Sequence, residues 1–397
     1  MSENSQTTAA PAAATRIAHA GRVDPDSPFV NPPVVHASTV LFRDSAQISG
    51  RSAEKPRWTY GRRGTPTSVA LETAIAELEG AEGCVLTPSG LAACDLALLS
   101  VLGAGDHLLV IDTVYGPTRH FCDGVLKRFG VETTYFDPLI GAGIDALIRP
   151  NTKAIFLESP GSLTFEMPDV PAIAKVARAR DIVTLIDNTW ATPLFFRPLE
   201  HGVDISIMAA TKYVVGHSDA LLGTVAAGPR AWEQVKTTHG DLGLFTGPDD
   251  MYLAMRGLRT MAVRLAHQQK SALAVAEWLA TRPEVTRVIH PALPSDPGHA
   301  IWKRDFDGAS GLFGFVLRPA PWAATAAFLD DLAWFGQGFS WGGFESLVTA
   351  PDPRHTRTAV AWTEPGQLIR LQIGLEDTGD LIADLSAGLD RFAAAAG

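Results

Sequence analysis

The sequence has few cysteines, no long apolar run and no excess of positive charge. Cys84, Cys94 and Cys122 form no CxxC pair, and their odd number leaves one thiol over in any disulfide scheme, so we expect small, buried, reduced side chains. The net charge of −10 argues against nucleic acid or an anionic membrane surface as the main partner. No apolar run reaches the roughly 18 residues of a membrane-spanning helix. By default, these deficits predict a globular protein of the cytoplasm.

The first residues also lack the pattern of a secretory signal. MSENSQTTAAPAAATR has no basic segment followed by an apolar one, and it is typical of a short disordered tail. The following stretch, up to residue 64, is rich in proline, glycine and polar residues, and its VNPPVVHASTVLF segment favours extended backbone. We therefore predict that residues 1–64 form a tail and an arm that needs another surface, such as a second subunit, to order it.

The rest of the 397-residue chain predicts an α/β protein of two domains. Between residues 65 and 257, apolar strand-like segments alternate with amphipathic helical ones, which is typical of a mostly parallel sheet with helices on both faces. A long helical stretch at about 250–281 leads into residues 258–397, a smaller α/β domain. The predicted strands are GCVLTP, DHLLVIDT, TKAIFLESP, IVTLID, DISIMAA, SGLFGFVLR and QLIRLQIG.

A lysine and an aspartate follow two of these predicted strands. Asp187 ends IVTLID, and Lys212 comes directly after DISIMAA. The carboxyl ends of parallel strands open onto the crevice where such sheets bind ligands. A lysine there can form a Schiff base, and a carboxylate can pair with a pyridinium nitrogen. Either residue alone is more simply explained as an exposed side chain, but together they predict pyridoxal phosphate as the cofactor.

Three further positions suit the same cofactor. Ser89-Gly90-Leu91 lies where a strand turns into a helix, whose first N–H groups favour a phosphate, although Ser89 could be an ordinary N-cap. Thr211 offers a hydroxyl to a phosphate oxygen. Tyr115 follows a strand end, where its ring could stack on a flat cofactor or simply be a half-buried loop residue.

Arginines are the candidate ligands for anionic groups. Arg370 lies among apolar neighbours in a predicted strand and wants a carboxylate, from an amino-acid substrate or from an internal acid. Tyr60 and Arg62 lie in the arm, and Arg62 could complete the phosphate site of a neighbouring subunit or be part of a solvated basic loop.

Two short motifs point elsewhere. Gly338–Gly342 reads GxSxG, the nucleophile elbow of serine hydrolases, but the only later histidine is His355, close to Asp352. The aromatic residues around Ser340 favour a substrate-lining loop instead. Residues 141–146 imitate a dinucleotide fingerprint without the preceding strand that it needs. Walker A, HExxH and zinc-knuckle patterns are lacking, so no metal is expected.

These segments together resemble the Cys/Met-metabolism family of fold-type I pyridoxal-phosphate enzymes, from about residue 16 to the C-terminus. The similarity is carried by the following segments: YGRRGTPT, CVLTPSG, TVYGP, FDPLIGA, FLESPGS, LIDNTWATP, AATKYVVGHSDA, RGLRT, HPALP, SWGGFES and LIRLQIGLED. The resemblance implies a fold-type I architecture with a smaller C-terminal α/β domain. It also implies a homotetramer built from dimers that share active sites.

The resemblance implies a role for each candidate residue. Lys212 would bind the cofactor and act in catalysis together with Tyr115, which would stack on the cofactor ring. Further roles would be to bind the ring nitrogen (Asp187), the phosphate from the same subunit (Gly90, Leu91, Thr211), the phosphate from the neighbour (Tyr60, Arg62), and the substrate (Arg370, Ser340, Trp341 and also Tyr115).

Two positions favour one branch of the family. Relatives that act at the γ-carbon often carry serine three residues before the lysine, whereas this sequence has Ala209, and Trp341 also fits the members that act at the β-carbon. The resemblance therefore implies β-elimination of L,L-cystathionine to homocysteine, pyruvate and ammonia, a step of methionine biosynthesis. Elimination or replacement at the γ-carbon, a serine hydrolase using Ser340 and a catalytically silent binding protein stay open as alternatives.

Overall fold

The structure is a computed structural model that describes residues 11–397. Most of the predicted disordered tail lies outside the described residues. Its last part is helical, because α1 (Ala13–His19) buries Ile17 and places the Arg16 guanidinium on the Glu77 carbonyl oxygen at 3.3 Å. The prediction of disorder is therefore wrong for residues 13–16.

Helices make up much of the described chain. After α1, they are α2 (Ser45–Ile48), α3 (Pro66–Glu79), α4 (Gly90–Val101), α5 (Gly116–Phe121), α6 (Val170–Ala179), α7 (Thr192–Phe195), α8 (Trp232–Leu242), α9 (Pro248–Leu258), α10 (Met261–Leu279), α11 (His299–Asp305), α12 (Trp322–Leu329) and α13 (Thr378–Ala396). Short 3-10 segments occupy Gly61–Arg63, Gly141–Leu147, Pro198–His201 and Pro353–His355, and a π-turn occupies Cys122–Leu126.

A seven-stranded sheet forms the centre of the larger part of the chain. Its strands are β1 (Gly83–Thr87), β2 (His107–Ile111), β3 (Glu132–Phe136), β4 (Thr152–Glu158), β5 (Val183–Asp187), β6 (Ile205–Met208) and β7 (Gly223–Ala227), in the order β1-β7-β6-β5-β4-β2-β3. β7 pairs antiparallel with both β1 and β6, and the other neighbours are parallel. β2 and β6 are buried along their whole length, as expected for strands covered on both faces. The mostly parallel sheet of the prediction is confirmed.

A second, smaller sheet follows towards the C-terminus. It consists of β8 (Val285–Ile289), β9 (Leu312–Leu317), β10 (Gly336–Gln337), β11 (Leu347–Thr349) and β12 (Leu368–Gln372), in the order β10-β11-β12-β9-β8. The pairs β8–β9, β9–β12 and β11–β12 are antiparallel. Arg370 stands in the middle of β12, opposite Gly314 and Thr349.

The predicted helical stretch at 250–281 is two helices. α9 ends at Leu258 and α10 begins at Met261, since the backbone at Gly257 packs directly on the Val214 and Val215 carbonyl groups, where a β-carbon would lie 2.2 Å from the Val215 oxygen. The Arg264 guanidinium then donates to the carbonyl oxygens of Gly257 and Tyr213 at 2.8 Å each. This buried contact ties the break between the two helices to the turn that carries Lys212.

α10 contributes side chains to two apolar cores. Its first turns pack with α3 and α9 through Met261 and Leu265, and its last turns pack under the smaller sheet through Val275 and Leu279. The domain boundary at 257/258 stays a prediction. Within residues 11–397, no helix has both the length and the apolar character needed to cross a bilayer.

Candidate active site

The carboxyl ends of neighbouring parallel strands meet at one edge of the large sheet. β4 ends at Glu158, β5 ends at Asp187 in register with it, and Lys212 lies in the turn that follows β6. Tyr115, between β2 and α5, donates its backbone N–H to a Glu158 carboxyl oxygen at 2.7 Å. The topology thus brings together residues that are far apart in the sequence, at the edge where such sheets bind ligands.

Lys212 is a partly buried amine with few compensating partners. Its Nζ donates to the Ser340 hydroxyl at 2.6 Å and lies 5.4 Å from the centre of the Trp341 ring. Burial and the Arg370 guanidinium lower its pKa to about 8, and the Asp187 carboxylate acts in the opposite direction. Near neutral pH a much larger fraction of this amine is unprotonated than of an ordinary lysine, as nucleophilic or base chemistry requires.

Asp187 has one carboxyl oxygen engaged and one free for a ligand. Oδ1 accepts hydrogen bonds from the Thr189 backbone N–H at 2.9 Å and from the Thr189 hydroxyl, which itself accepts the Ala209 N–H at 2.8 Å. Around Oδ2, the contact recorded among residues 11–397 is the Cys94 thiol at 4.0 Å. Burial raises the Asp187 pKa, and the Thr189 bonds and Lys212 oppose that rise. A cationic N–H donor at Oδ2 would keep this carboxyl ionised.

Glu158 is a residue of this edge that the sequence analysis did not single out. Burial, followed by the neighbouring Asp187 carboxylate, raises its pKa well above the ordinary range. A protonated carboxyl beside an ionised one is the expected outcome for two acids in register. Its place at the end of a predicted strand was the one signal in the sequence that could have found it.

The N-terminus of α4 lies against the turn before Lys212. Ser89 is its N-cap and uses its hydroxyl to accept the Ala92 N–H at 3.1 Å, which leaves the N–H groups of Gly90 and Leu91 without a partner in the helix. A β-carbon at residue 90 would lie 2.4 Å from the Ala209 β-carbon, so only glycine allows this approach. Ser89 is therefore an ordinary N-cap, which is one of the two roles that the sequence had left open for it.

Thr211 is engaged with the backbone of Leu222. Its hydroxyl donates to the Leu222 carbonyl at 3.1 Å and accepts the Leu222 N–H at 3.0 Å. For the hydroxyl to donate to a phosphate, as predicted, its hydrogen would have to leave the Leu222 oxygen.

Tyr115 and Arg370 border the open side of this edge. The Tyr115 side chain is 44% exposed, and burial, then Cys94, Asp187 and Glu158, raises its pKa while Arg370 opposes that rise. Arg370 donates to the Ser340 carbonyl oxygen at 3.1 Å, and no carboxylate of residues 11–397 forms an ion pair with it. Burial lowers its pKa, so a bound carboxylate would be a favourable partner.

The loop containing Ser340 and Trp341 closes over Lys212. Ser340 has a φ of 77°, a left-handed conformation that costs about 1–3 kcal/mol in a residue other than glycine. The Trp341 ring packs on Tyr213, with centroids 5.3 Å apart. The Ser340 hydroxyl contacts Lys212 and, within residues 11–397, forms no hydrogen bond with His355, so the geometry does not support the serine hydrolase alternative.

Tyr60 and Arg62 make other contacts in this chain. Tyr60 forms an isolated bridge with Thr39, and Arg62 donates to the Gly240 carbonyl oxygen at 3.1 Å. The structure of one subunit does not bring them together with Lys212 or Asp187, and their predicted role at a neighbour's site stays a prediction.

The residues of this edge fit pyridoxal phosphate. Within residues 11–397 the N–H groups of Gly90 and Leu91 have no hydrogen-bond partner, which suits a phosphate, and the Asp187 Oδ2 atom suits a protonated ring nitrogen. Lys212 supplies an amine of lowered pKa for the aldehyde, and the half-exposed Tyr115 ring suits a flat heterocycle.

Comparisons with known proteins give the same result. Residues 14–390 match the family described as Cys/Met metabolism PLP-dependent enzyme. The chain is 48% identical to cystathionine beta-lyase MetC of Escherichia coli K12, over 91% of this chain and 94% of that protein. It is 45% identical to cystathionine beta-lyase of Haemophilus influenzae, over 96% and 98%. The crystal structure of cystathionine gamma synthase from Xanthomonas oryzae pv. oryzae matches with a TM-score of 0.89 and 33% identity, over 98% of this chain and 100% of that one.

The sequence match, the fold and the residues at the sheet edge agree, and the chain belongs to the Cys/Met metabolism family of pyridoxal-phosphate-dependent enzymes.

Proposed function

We propose that this chain is a carbon–sulfur lyase that cleaves L,L-cystathionine by β-elimination. With one water consumed, the reaction yields homocysteine, pyruvate and ammonia. The observation that carries the proposal is a lysine of lowered pKa that shares Ser340 with an arginine lacking a carboxylate partner within residues 11–397, close to the strand end at Asp187. The two beta-lyases described above are 48% and 45% identical to this chain, against 33% for the gamma synthase, which favours the β-carbon over the γ-carbon.

When bound, pyridoxal phosphate supplies an electron-withdrawing ring conjugated to the substrate Cα. The residues that would hold it are Lys212 through its amine, Asp187 at the ring nitrogen, Tyr115 on the ring face, and Gly90, Leu91 and Thr211 at the phosphate. The Thr189 bonds fix the Asp187 carboxyl so that its free oxygen keeps one direction.

Lys212 moves the protons of the reaction. Once its nitrogen is free, the neutral amine takes the proton from the substrate Cα, and its lowered pKa keeps it able to do so near neutral pH. The bond between Cβ and sulfur then breaks, and the leaving sulfur takes a proton from the Lys212 ammonium or from the Tyr115 hydroxyl. The Ser340 hydroxyl, 2.6 Å from Nζ, limits the directions in which the amine can point.

Arg370 orients the substrate. Its guanidinium binds the α-carboxylate through paired hydrogen bonds while its bond to the Ser340 carbonyl oxygen holds the side chain in place. This places the Cα–H bond towards Lys212, and such alignment contributes to the rate as well as to binding.

The keto acid formed from cystathionine tests the proposed function. We expect the purified protein with pyridoxal phosphate to release pyruvate and homocysteine in equal amounts, identified by mass spectrometry. A parallel incubation with the cofactor alone measures the background. If 2-oxobutanoate and cysteine are the main products, the chain acts at the γ-carbon and the proposal is wrong.

A homotetramer of dimers with shared active sites is part of the proposal. Arm residues Phe29, Leu41 and Ile48 are apolar and 76%, 90% and 67% exposed in the single subunit, which supports burial against a second copy. Sedimentation velocity is expected to give about four times the 42.3 kDa of one chain, and a monomer would contradict this.

The cysteines bear on the compartment. The thiols of Cys84, Cys94 and Cys122 are buried and unpaired, which supports a reducing compartment such as the cytoplasm.

A further inference from the structure

A buried carboxylate outside the chemistry joins the two sheets near the active site. Asp112 follows β2, and its side chain is fully buried. It accepts the backbone N–H groups of Thr358, Ala359 and Val360 at 2.9–3.1 Å, together with the Thr358 hydroxyl at 3.2 Å. Three consecutive N–H groups directed at one carboxylate form a specific anion site for this side chain.

Charged neighbours complete this junction. Arg119 donates to an Asp112 carboxyl oxygen at 2.7 Å and to the Thr358 hydroxyl at 3.3 Å, and its guanidinium stacks on Tyr135 at 3.6 Å. Arg357 pairs with Glu166 and lies 3.8 Å from Asp112. All of these groups are mostly buried, so removing one charge would leave another one unpaired.

The two segments joined by Asp112 lead to Tyr115 and Arg370, the residues that border the substrate side of the site. Residues 350–367 form the loop between β11 and β12, and Arg370 follows this loop in β12. On the other side, Asp112 leads through Thr113 and Val114 to Tyr115. That short segment is also held by the Ser162 N–H, which donates to the Thr113 carbonyl at 2.7 Å, and by the bond from Tyr115 to Glu158.

We propose that Asp112 is a positioning residue for the amino-acid substrate. By accepting the N–H groups of residues 358–360, it fixes the loop that leads into Arg370 against the segment that leads into Tyr115. The two residues that contact the substrate are then held at one separation. Within residues 11–397, Asp112 forms no hydrogen bond or ion pair with Lys212 or Asp187. Its effect is therefore exerted through the binding of the α-carboxylate by Arg370.

Asp112→Asn is the variant that tests this inference, which rests on the proposed function. The amide keeps the shape but loses the charge beside Arg119, and its NH₂ group would face backbone donors. We expect KM for cystathionine to rise about 10- to 100-fold and kcat to fall as well, because a displaced Arg370 binds the α-carboxylate less well and aligns the Cα–H bond less well. Hydrogen exchange of the amides at 358–360 is expected to become faster, with the bound cofactor's absorbance unchanged.

Two further variants keep the test decisive. Arg354→Gln removes an exposed ion pair with Asp352 on the same loop and is expected to leave KM unchanged. Arg119→Lys retains Asp112 and its backbone donors but loses the paired guanidinium contacts, and we expect a KM increase of roughly 3- to 10-fold. It takes the place of Asp112→Asn if that protein does not fold. A KM within twofold of the parent in the folded, cofactor-loaded variant overturns the inference.

Binding of free glycine distinguishes a failure of this inference from a failure of the proposed function. Glycine carries the α-carboxylate but has no sulfur to lose, and its dissociation constant can be measured from the absorbance of the cofactor-loaded protein. If the parent releases no pyruvate from cystathionine, the proposed function fails. Weaker glycine binding in Asp112→Asn than in Arg354→Gln would still support the positioning role, and equal binding would contradict it.

Discussion

Replacing Lys212 with alanine is expected to lower the rate of pyruvate release by about 10⁴-fold, the upper end for loss of a catalytic base. The variant loses both the amine that would hold the cofactor covalently and the group that takes the Cα proton. The neighbouring Arg370, Tyr115 and Asp187 are poorly suited to take over. Arg370 stays protonated, the Tyr115 pKa is raised, and Asp187 is held by Thr189. A continuous assay of pyruvate with lactate dehydrogenase measures the change.

Lys153→Ala provides the matched control. This lysine is exposed in β4, near the opposite edge of the same sheet, and its loss is expected to leave the rate unchanged. Borohydride reduction of the parent followed by peptide mapping should place the pyridoxyl mass on Lys212 alone. A pyridoxyl mass on another lysine, or a Lys212→Ala variant that keeps a tenth of the activity, would show that the lysine has been misassigned.

Replacing Asp187 with asparagine is expected to lower kcat by about 10²- to 10³-fold, the usual cost of removing one group that stabilises developing charge. Asparagine can still accept the Thr189 N–H and hydroxyl, so the local geometry should persist. The group that faces the ring nitrogen then becomes the amide NH₂, a neutral donor that cannot balance a protonated ring nitrogen. Stopped-flow measurement of proton loss from Cα, using substrate deuterated at that carbon, tests whether this step has slowed.

The control for Asp187→Asn is Asp145→Asn. Asp145 forms an exposed ion pair with Arg180, in which about half of each side chain is exposed, and its loss is expected to have little effect. The absorbance of the bound cofactor should change in Asp187→Asn and not in Asp145→Asn. Normal turnover in Asp187→Asn with cofactor bound would mean that another group protonates the ring.

The buried strands were the most predictable part of the fold. β2, β4, β5 and β6 are short apolar runs, and their alternation with helical segments predicted them. β3 was missed because its sequence, ETTYF, is polar and only half-buried at the sheet edge. β7, GTVAA, was missed because glycine and alanine give a weak strand signal, although the strand is fully buried. Its antiparallel direction depends on pairing with β1 and β6, which local sequence does not encode.

For the site, the sequence indicated residue types and strand ends but not contacts. Lys212 and Asp187 were predicted because charged residues at the ends of apolar strands are unusual. Glu158 occupies the same kind of position, yet its importance arises from its register with Asp187, a property of strand pairing. The junction at Asp112 joins segments 246 residues apart in the chain, so no local pattern could predict it. The bond of Thr211 to Leu222 spans 11 residues and depends on how the turn after β6 folds.

The helix α10 couples the stability of the two parts of the molecule. Its first turns belong to one apolar core and its last turns to the other. Unfolding either part would therefore remove packing contacts from the same helix. Loss of structure in either part should therefore destabilise the other on heating. An engineer who transplants the C-terminal half from a homologue would need to carry Met261–Leu279 with it and rebuild the surface on which Met261 and Leu265 rest.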